Sequence, residues 1–220
     1  MQPQLRKLKS GESRLFDPLH KLVLISDSVG IASIYALLGV VEPIEETPRN
    51  ATRAECIQFP TIVVRFPVLT ALKAVVRGSP LTQFTVAFVE RKPPPPLPPG
   101  RATTTLKGHG AFALSLMTPI YVDFFEKHRR WLRARFGGDP NSWPMLFNFA
   151  RALRNFISHN AGRVDFENSK APAVSWHSLS YAHANNGSLV LGQDIDIGDL
   201  IVLLFELGDE LDRLGCPPHP

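Results

Sequence analysis

Residues 93–100, Pro-Pro-Pro-Pro-Leu-Pro-Pro-Gly, constrain the fold more than any other stretch of the chain. Proline has no backbone N–H to donate and its ring fixes φ, so this run fits neither a helix nor a central strand. It predicts an extended polyproline II spacer. The spacing Lys92-x-x-Pro95-x-x-Pro98 also matches an SH3-ligand pattern, but that pattern is short, and a stiff linker is the preferred reading. The expected organisation is a mixed α/β segment over 1–92, the linker over 93–100 and a helical domain over 101–220.

With 44% hydrophobic and 20% charged residues the chain can bury a core, which excludes wholesale disorder. A formal net charge of +4 tolerates a nucleic-acid partner without requiring one. The charge is unevenly placed. Residues 118–163 carry eight Lys/Arg against three acids, whereas 164–215 carry two against nine. The two cysteines, Cys56 and Cys216, form neither a metal spacing nor a disulfide framework, so the expected compartment is the cytoplasm. Residues 10–20 are too polar for a signal-peptide core. Leu22–Val41 is apolar apart from Asp27 and several serines. A spanning helix needs about 20 apolar residues and disfavours a central charge, so a buried amphipathic helix is expected here, and no membrane partner.

In the first half, the pattern predicts a helix over 14–41, a turn-rich loop over 42–60, strands at Thr61–Phe66 and Gln83–Glu90, and a short helix at Val68–Arg77. The second half is clearer. Thr118 and Pro119 read as the start of a helix ending before Gly137. Its basic run is Lys127, His128, Arg129, Arg130, Arg133 and Arg135, with His128 read as a surface residue. A brief turn, with Ser142 as cap, sends a second helix back antiparallel over 143–160. There Leu146, Phe149, Ala150, Leu153, Phe156 and Ile157 fall within an arc of roughly 120°. Phe147 intrudes on the polar side, and Gly162 is the expected C′ residue. A hairpin is expected from Val174–Tyr181 and Ser188–Leu191, turning at Asn185-Asn186-Gly187. Asp196 and Asp199 should cap a final leucine-rich helix that runs to Gly215. The predicted fold class is mainly α: an antiparallel helical bundle with a β-hairpin insertion and a less regular, mixed N-terminal segment.

The polar side of the second helix carries the chemistry, in Arg154-Asn155-Phe156-Ile157-Ser158-His159. Arginine can grip a phosphate with a fork of donors, and histidine can move a proton near neutral pH. On an ideal helix positions 154 and 159 stand about 140° and about 7.5 Å apart and flank the polar face, while Asn155 and His159 are neighbours at i and i+4. Arg151, Ser158, Lys127 and Arg130 are the candidate nucleic-acid contacts. There is no convincing carboxylate or Cys/His ligand cluster, and His177 and His183 lack partners at ligand spacing. Neither a metal nor a cofactor is expected.

This Arg-Asn-x-x-x-His signature, late in a helix of an antiparallel bundle, resembles the HEPN superfamily over about residues 118–215. Its members are small helical domains that typically dimerise, and many are metal-independent endoribonucleases with an Arg-x4–6-His motif. Four residues separate Arg154 from His159, and Asn155 fits the polar slot after the arginine. The resemblance implies Arg154, His159 and Asn155 as catalytic residues, RNA as substrate, and a homodimer that gathers two Arg/His sets around one cleft. It also implies a role as the toxin of a toxin–antitoxin or defence system, restrained by an antitoxin-like protein partner. The alternative is a catalytically silent HEPN-like module that binds nucleic acid or protein through the same surface. The hairpin and the first hundred residues have no counterpart in the minimal domain.

Overall fold

The computed structural model describes residues 4–23, 52–66, 80–91, 109–167 and 171–218. Four strands, β1 (Gln4–Lys9), β2 (Thr52–Glu55), β3 (Ile62–Phe66) and β4 (Gln83–Glu90), form an antiparallel sheet in the order β1-β4-β3-β2. Alternation along β4 buries Phe84, Val86 and Phe88. Register then sets Leu8 beside Phe84, Val64 beside Phe88 and Ala54 beside Val64, which makes one continuous apolar face. Lys7 and Lys9 lie on the edge strand β1, where their charge discourages another strand from adding.

Helices cover that face. Residues 16–23 form α1, followed in the chain by α2 (His109–Phe136), α3 (Met145–Asn160) and α4 (Ile197–Arg213). Phe16 of α1 meets Phe84 with ring centroids 5.3 Å apart, and Phe205 of α4 meets Phe88 edge-on at 5.2 Å. Arg6 lies over the Phe205 ring and pairs with Asp209. Residues from both sides of the proline-rich stretch share one hydrophobic core, which runs from Leu8 to Cys216.

The architecture is therefore mixed α/β, and the expectation of a mainly α bundle does not hold. Gln4–Lys9 and Thr52–Glu55 are strands, the second inside a stretch expected to be loop. The expected helix over 68–77, the spacer over 93–100 and most of the expected helix over 14–41 lie outside the described residues. Among the described residues no helix is long and apolar enough to cross a membrane.

The helical half departs from the sequence reading at three points. Pro119 sits inside α2 instead of starting it. A proline there leaves the carbonyl four residues back without its usual donor, and the Thr118 hydroxyl supplies one, donating to Ser115 O at 3.1 Å. Ser142 does not cap α3. Its hydroxyl donates to Phe136 O and Asp139 O, and Pro144 stands at the N-cap. Phe147 is fully buried, because α3 packs on two sides, with Phe147 against Phe136 of α2 and Phe149 against Trp176 beyond.

α3 ends on Ala161 and Gly162, both with positive φ. A Cβ on Gly162 would stand 2.9 Å from Leu191 Cδ1, so only glycine fits. The hairpin is β5 (Val174–Trp176) and β6 (Leu179–Tyr181), joined at His177-Ser178, with His177 at φ 50°. The turn expected at Asn185–Gly187 does not form a hairpin. The Asn186 side chain instead binds both the N–H and the carbonyl of Phe166.

At the start of α4 the expected cap is present. Asp196 Oδ1 accepts from Ile197 N–H and Asp199 Oδ2 from Asp196 N–H. The fully buried Asp199 carboxylate also accepts from Ile57 N–H at 2.7 Å and Gln58 N–H at 3.0 Å, tying the loop after β2 to the helix.

Candidate active site

Arg154 is the hub of the polar side of α3. Its Nη1 donates to Asn155 Oδ1 at 3.1 Å and to His159 Nε2 at 3.0 Å. Arginine can only donate, so Nε2 is the acceptor and carries the ring's lone pair. The two backbone positions flank the face, and the length of the arginine side chain closes the gap between them. His159 is exposed, whereas the Arg154 side chain is only 18% exposed. Arg154 Nε lies 2.6 Å from Glu126 Oε1 of α2, in a contact whose N–H and acceptor are not aligned; it is an ion pair more than a hydrogen bond.

Glu126 opens a cleft of about 80 Å³ between α2 and α3. Arg129 and Arg133 line it from α2, Arg151 and Arg154 from α3, and Trp143 from the connecting turn. Glu126, Arg133 and Arg129 fall within about 60° of arc, so they present one stripe to the antiparallel neighbour. Arg151 is half-buried and donates to the neutral Asn148 Oδ1 through Nε at 3.2 Å and Nη2 at 3.0 Å. Burial, and then the charge of Arg129, lower its pKa from the ordinary arginine value, with Asp139 opposing.

The structure thus gathers Arg154, Asn155 and His159, and places Arg151 in the cleft beside them. Ser158 is exposed on α3. Lys127 and Arg130 are exposed on α2 and do not line the cleft; Lys127 pairs instead with Asp123 at 2.9 Å. Sequence reasoning missed Glu126, Arg129 and Arg133 as site residues. Their i, i+3, i+7 spacing was the available signal, once the helix was set against an antiparallel partner.

His128 is not a surface residue. It is 3% exposed, its Nδ1–H donates to Phe124 O at 2.7 Å, and Nε2 accepts from Arg14 Nη1 at 2.7 Å. The same buried guanidinium binds Asp212 Oδ1, Cys216 O and Pro217 O. Burial pushes the Cys216 thiol up, so it is a poor nucleophile, and this cluster holds structure together. His177 has one carboxylate partner, Glu206 at 2.7 Å, which also accepts from Trp176 Nε1 at 2.7 Å. Among the described residues no group of three or more His, Cys, Asp or Glu side chains is placed to hold a metal ion.

Comparison with family models, curated proteins and solved structures finds no match to this chain.

Proposed function

We propose that the chain is a metal-independent endoribonuclease of HEPN type, acting in the cytoplasm as a homodimer. The observation that carries this reading is the 3.0 Å contact between Arg154 Nη1 and an accepting His159 Nε2 on an exposed helix face. RNA can be cut by its own 2′-hydroxyl. His159 Nε2 takes the hydroxyl proton, the 2′-oxygen attacks phosphorus, and the 5′-oxygen leaves with a proton returned by a protonated imidazole. The products are a 2′,3′-cyclic phosphate and a 5′-hydroxyl. Arg154 turns from His159 to the non-bridging oxygens, where its donors stabilise the charge that grows as the phosphorane forms. Asn155 orients the guanidinium through its Oδ1. A second subunit across a two-fold axis brings another imidazole for the leaving oxygen. Arg151, Ser158, Lys127 and Arg130 hold neighbouring phosphates. The physiological role that follows is that of a toxin restrained by an antitoxin-like protein.

One observation favours a silent binding module instead: Arg154 is already paired with Glu126. Incubation of purified protein with RNA in the presence of a chelator, for wild type, Arg154→Ala and His159→Ala, separates the two readings. A catalytic site predicts that either substitution lowers the cleavage rate by about 10²-fold or more. Cleavage unchanged in both variants removes the site. A binding module gives no cleavage in any of the three, and expression that is harmless with or without His159.

A further inference from the structure

We infer that the seam between α2 and α3 binds a compact dianionic phosphate, the monoester group of a nucleotide or of an RNA 5′ end. The cleft presents four guanidinium groups, from Arg129, Arg133, Arg151 and Arg154, against one carboxylate, Glu126. That leaves an excess of three positive charges in a partly enclosed space, where charges interact more strongly than in bulk water. Like charges so placed repel, and the cheapest relief is an anion from outside. Arg151 shows the imbalance directly, since its donors reach a neutral amide on its own helix, and Arg129 acts on it unfavourably.

Size and shape select the ligand. At about 80 Å³ the cleft has room for a compact oxyanion and none for a stacked base beside it. Trp143 and Pro140 line the cleft beside the arginines. Planar guanidinium forks from two helices can each meet two oxygens of one phosphate, and a monoester offers three such oxygens where a diester offers two. Arg129 and Arg133 take no part in the proposed cleavage. Where the phosphate belongs to RNA, the inference rests on the ribonuclease reading and deepens it: Arg129, Arg133 and Arg151 hold the 5′-phosphate while Arg154, which also reaches His159, turns to the scissile link.

The test is titration calorimetry at low ionic strength with inorganic phosphate, with adenosine monophosphate against adenosine, and with a 5′-phosphorylated oligoribonucleotide against its 5′-hydroxyl form. Wild type and Arg135→Gln are expected to bind phosphate and the monophosphate alike. The double variant Arg129→Gln/Arg133→Gln changes two exposed residues on an intact helix and should bind at least about tenfold more weakly. Circular dichroism checks that it folds. A preference for the phosphorylated oligonucleotide assigns the site to an RNA end, and binding of the monophosphate without that preference assigns it to a free nucleotide. Wild type that binds phosphate yet cuts no RNA supports this site and sinks the ribonuclease reading. Wild type that cuts RNA but binds no phosphate overturns the inference, as does a double variant that binds as tightly as wild type.

Discussion

Acid should weaken this protein through His128, by an amount the structure allows to be worked out. Burial lowers the imidazole's pKa from its ordinary value of 6.5, helped by the charges of Arg14 and Lys127 and opposed by the Phe124 carbonyl and Asp212. In the unfolded chain the ring titrates normally, so below pH 6.5 the unfolded state takes up a proton that the folded state refuses. Stability from this group is complete at neutral pH and is lost as pH falls through 6.5 towards the depressed folded value. One proton linked over two pH units centred on the unfolded value costs up to about 1.4 kcal/mol between pH 7.5 and pH 5.5. Urea unfolding of wild type and His128→Gln at these two pH values isolates the effect, because glutamine can still accept from Arg14 but cannot titrate. His20, whose pKa is also lowered by burial, remains in both proteins and cancels. Wild type should lose about 1 kcal/mol more than the variant on acidification. Equal losses in the two proteins would show that the imidazole is not held neutral by its surroundings, and would refute the reasoning.

Two further substitutions probe the framework and the cleft. Asp199→Ala leaves the half-buried N–H groups of Asp196, Ile57 and Gln58 without their acceptor, at a cost of about 2–3 kcal/mol in urea unfolding. A loss below about 1 kcal/mol would mean that the tie between the β2 loop and α4 contributes little. Glu126→Gln removes the only carboxylate among the described residues that line the cleft and frees both Arg154 and Arg129, so phosphate affinity should rise about fivefold by calorimetry. Weaker binding in that variant would contradict the idea that Glu126 competes with the anion.

What could be read from sequence was whatever a single element decides for itself. The Asp196/Asp199 cap of α4 follows from spacing of about one helical turn and is present. Of the expected core set of α3, Phe149, Ala150, Leu153 and Phe156 are buried and Leu146 and Ile157 are half-buried, while Phe147 and Asn148 are buried as well. β1 was illegible, because Gln-Leu-Arg-Lys-Leu-Lys has the composition of a charged tail and becomes a strand only when β4 offers it an edge. His128 looked exposed because its partner Arg14 lies 114 residues away. Asn185-Asn186-Gly187 does turn, with Ser188 N–H donating to Asn185 O at 3.0 Å, but it joins no hairpin, because Asn186 satisfies the Phe166 backbone and the paired strands meet at His177-Ser178. In the site the same division holds. Arg154, Asn155 and His159 share one helix and were found together, whereas Glu126, Arg129 and Arg133 join them only through the pairing of two helices.

Arg14 has a consequence for the order of assembly. Its partners Asp212 and Pro217 lie 198 and 203 residues further along the chain, so on the ribosome this cation emerges long before the groups that bind it in the fold. Until the last helix is released, the early segment has nowhere dry to settle without stranding a charge. Seating residues 212–217 against Arg14 therefore comes late, and a nascent chain stalled before Asp212 would remain a client for chaperones.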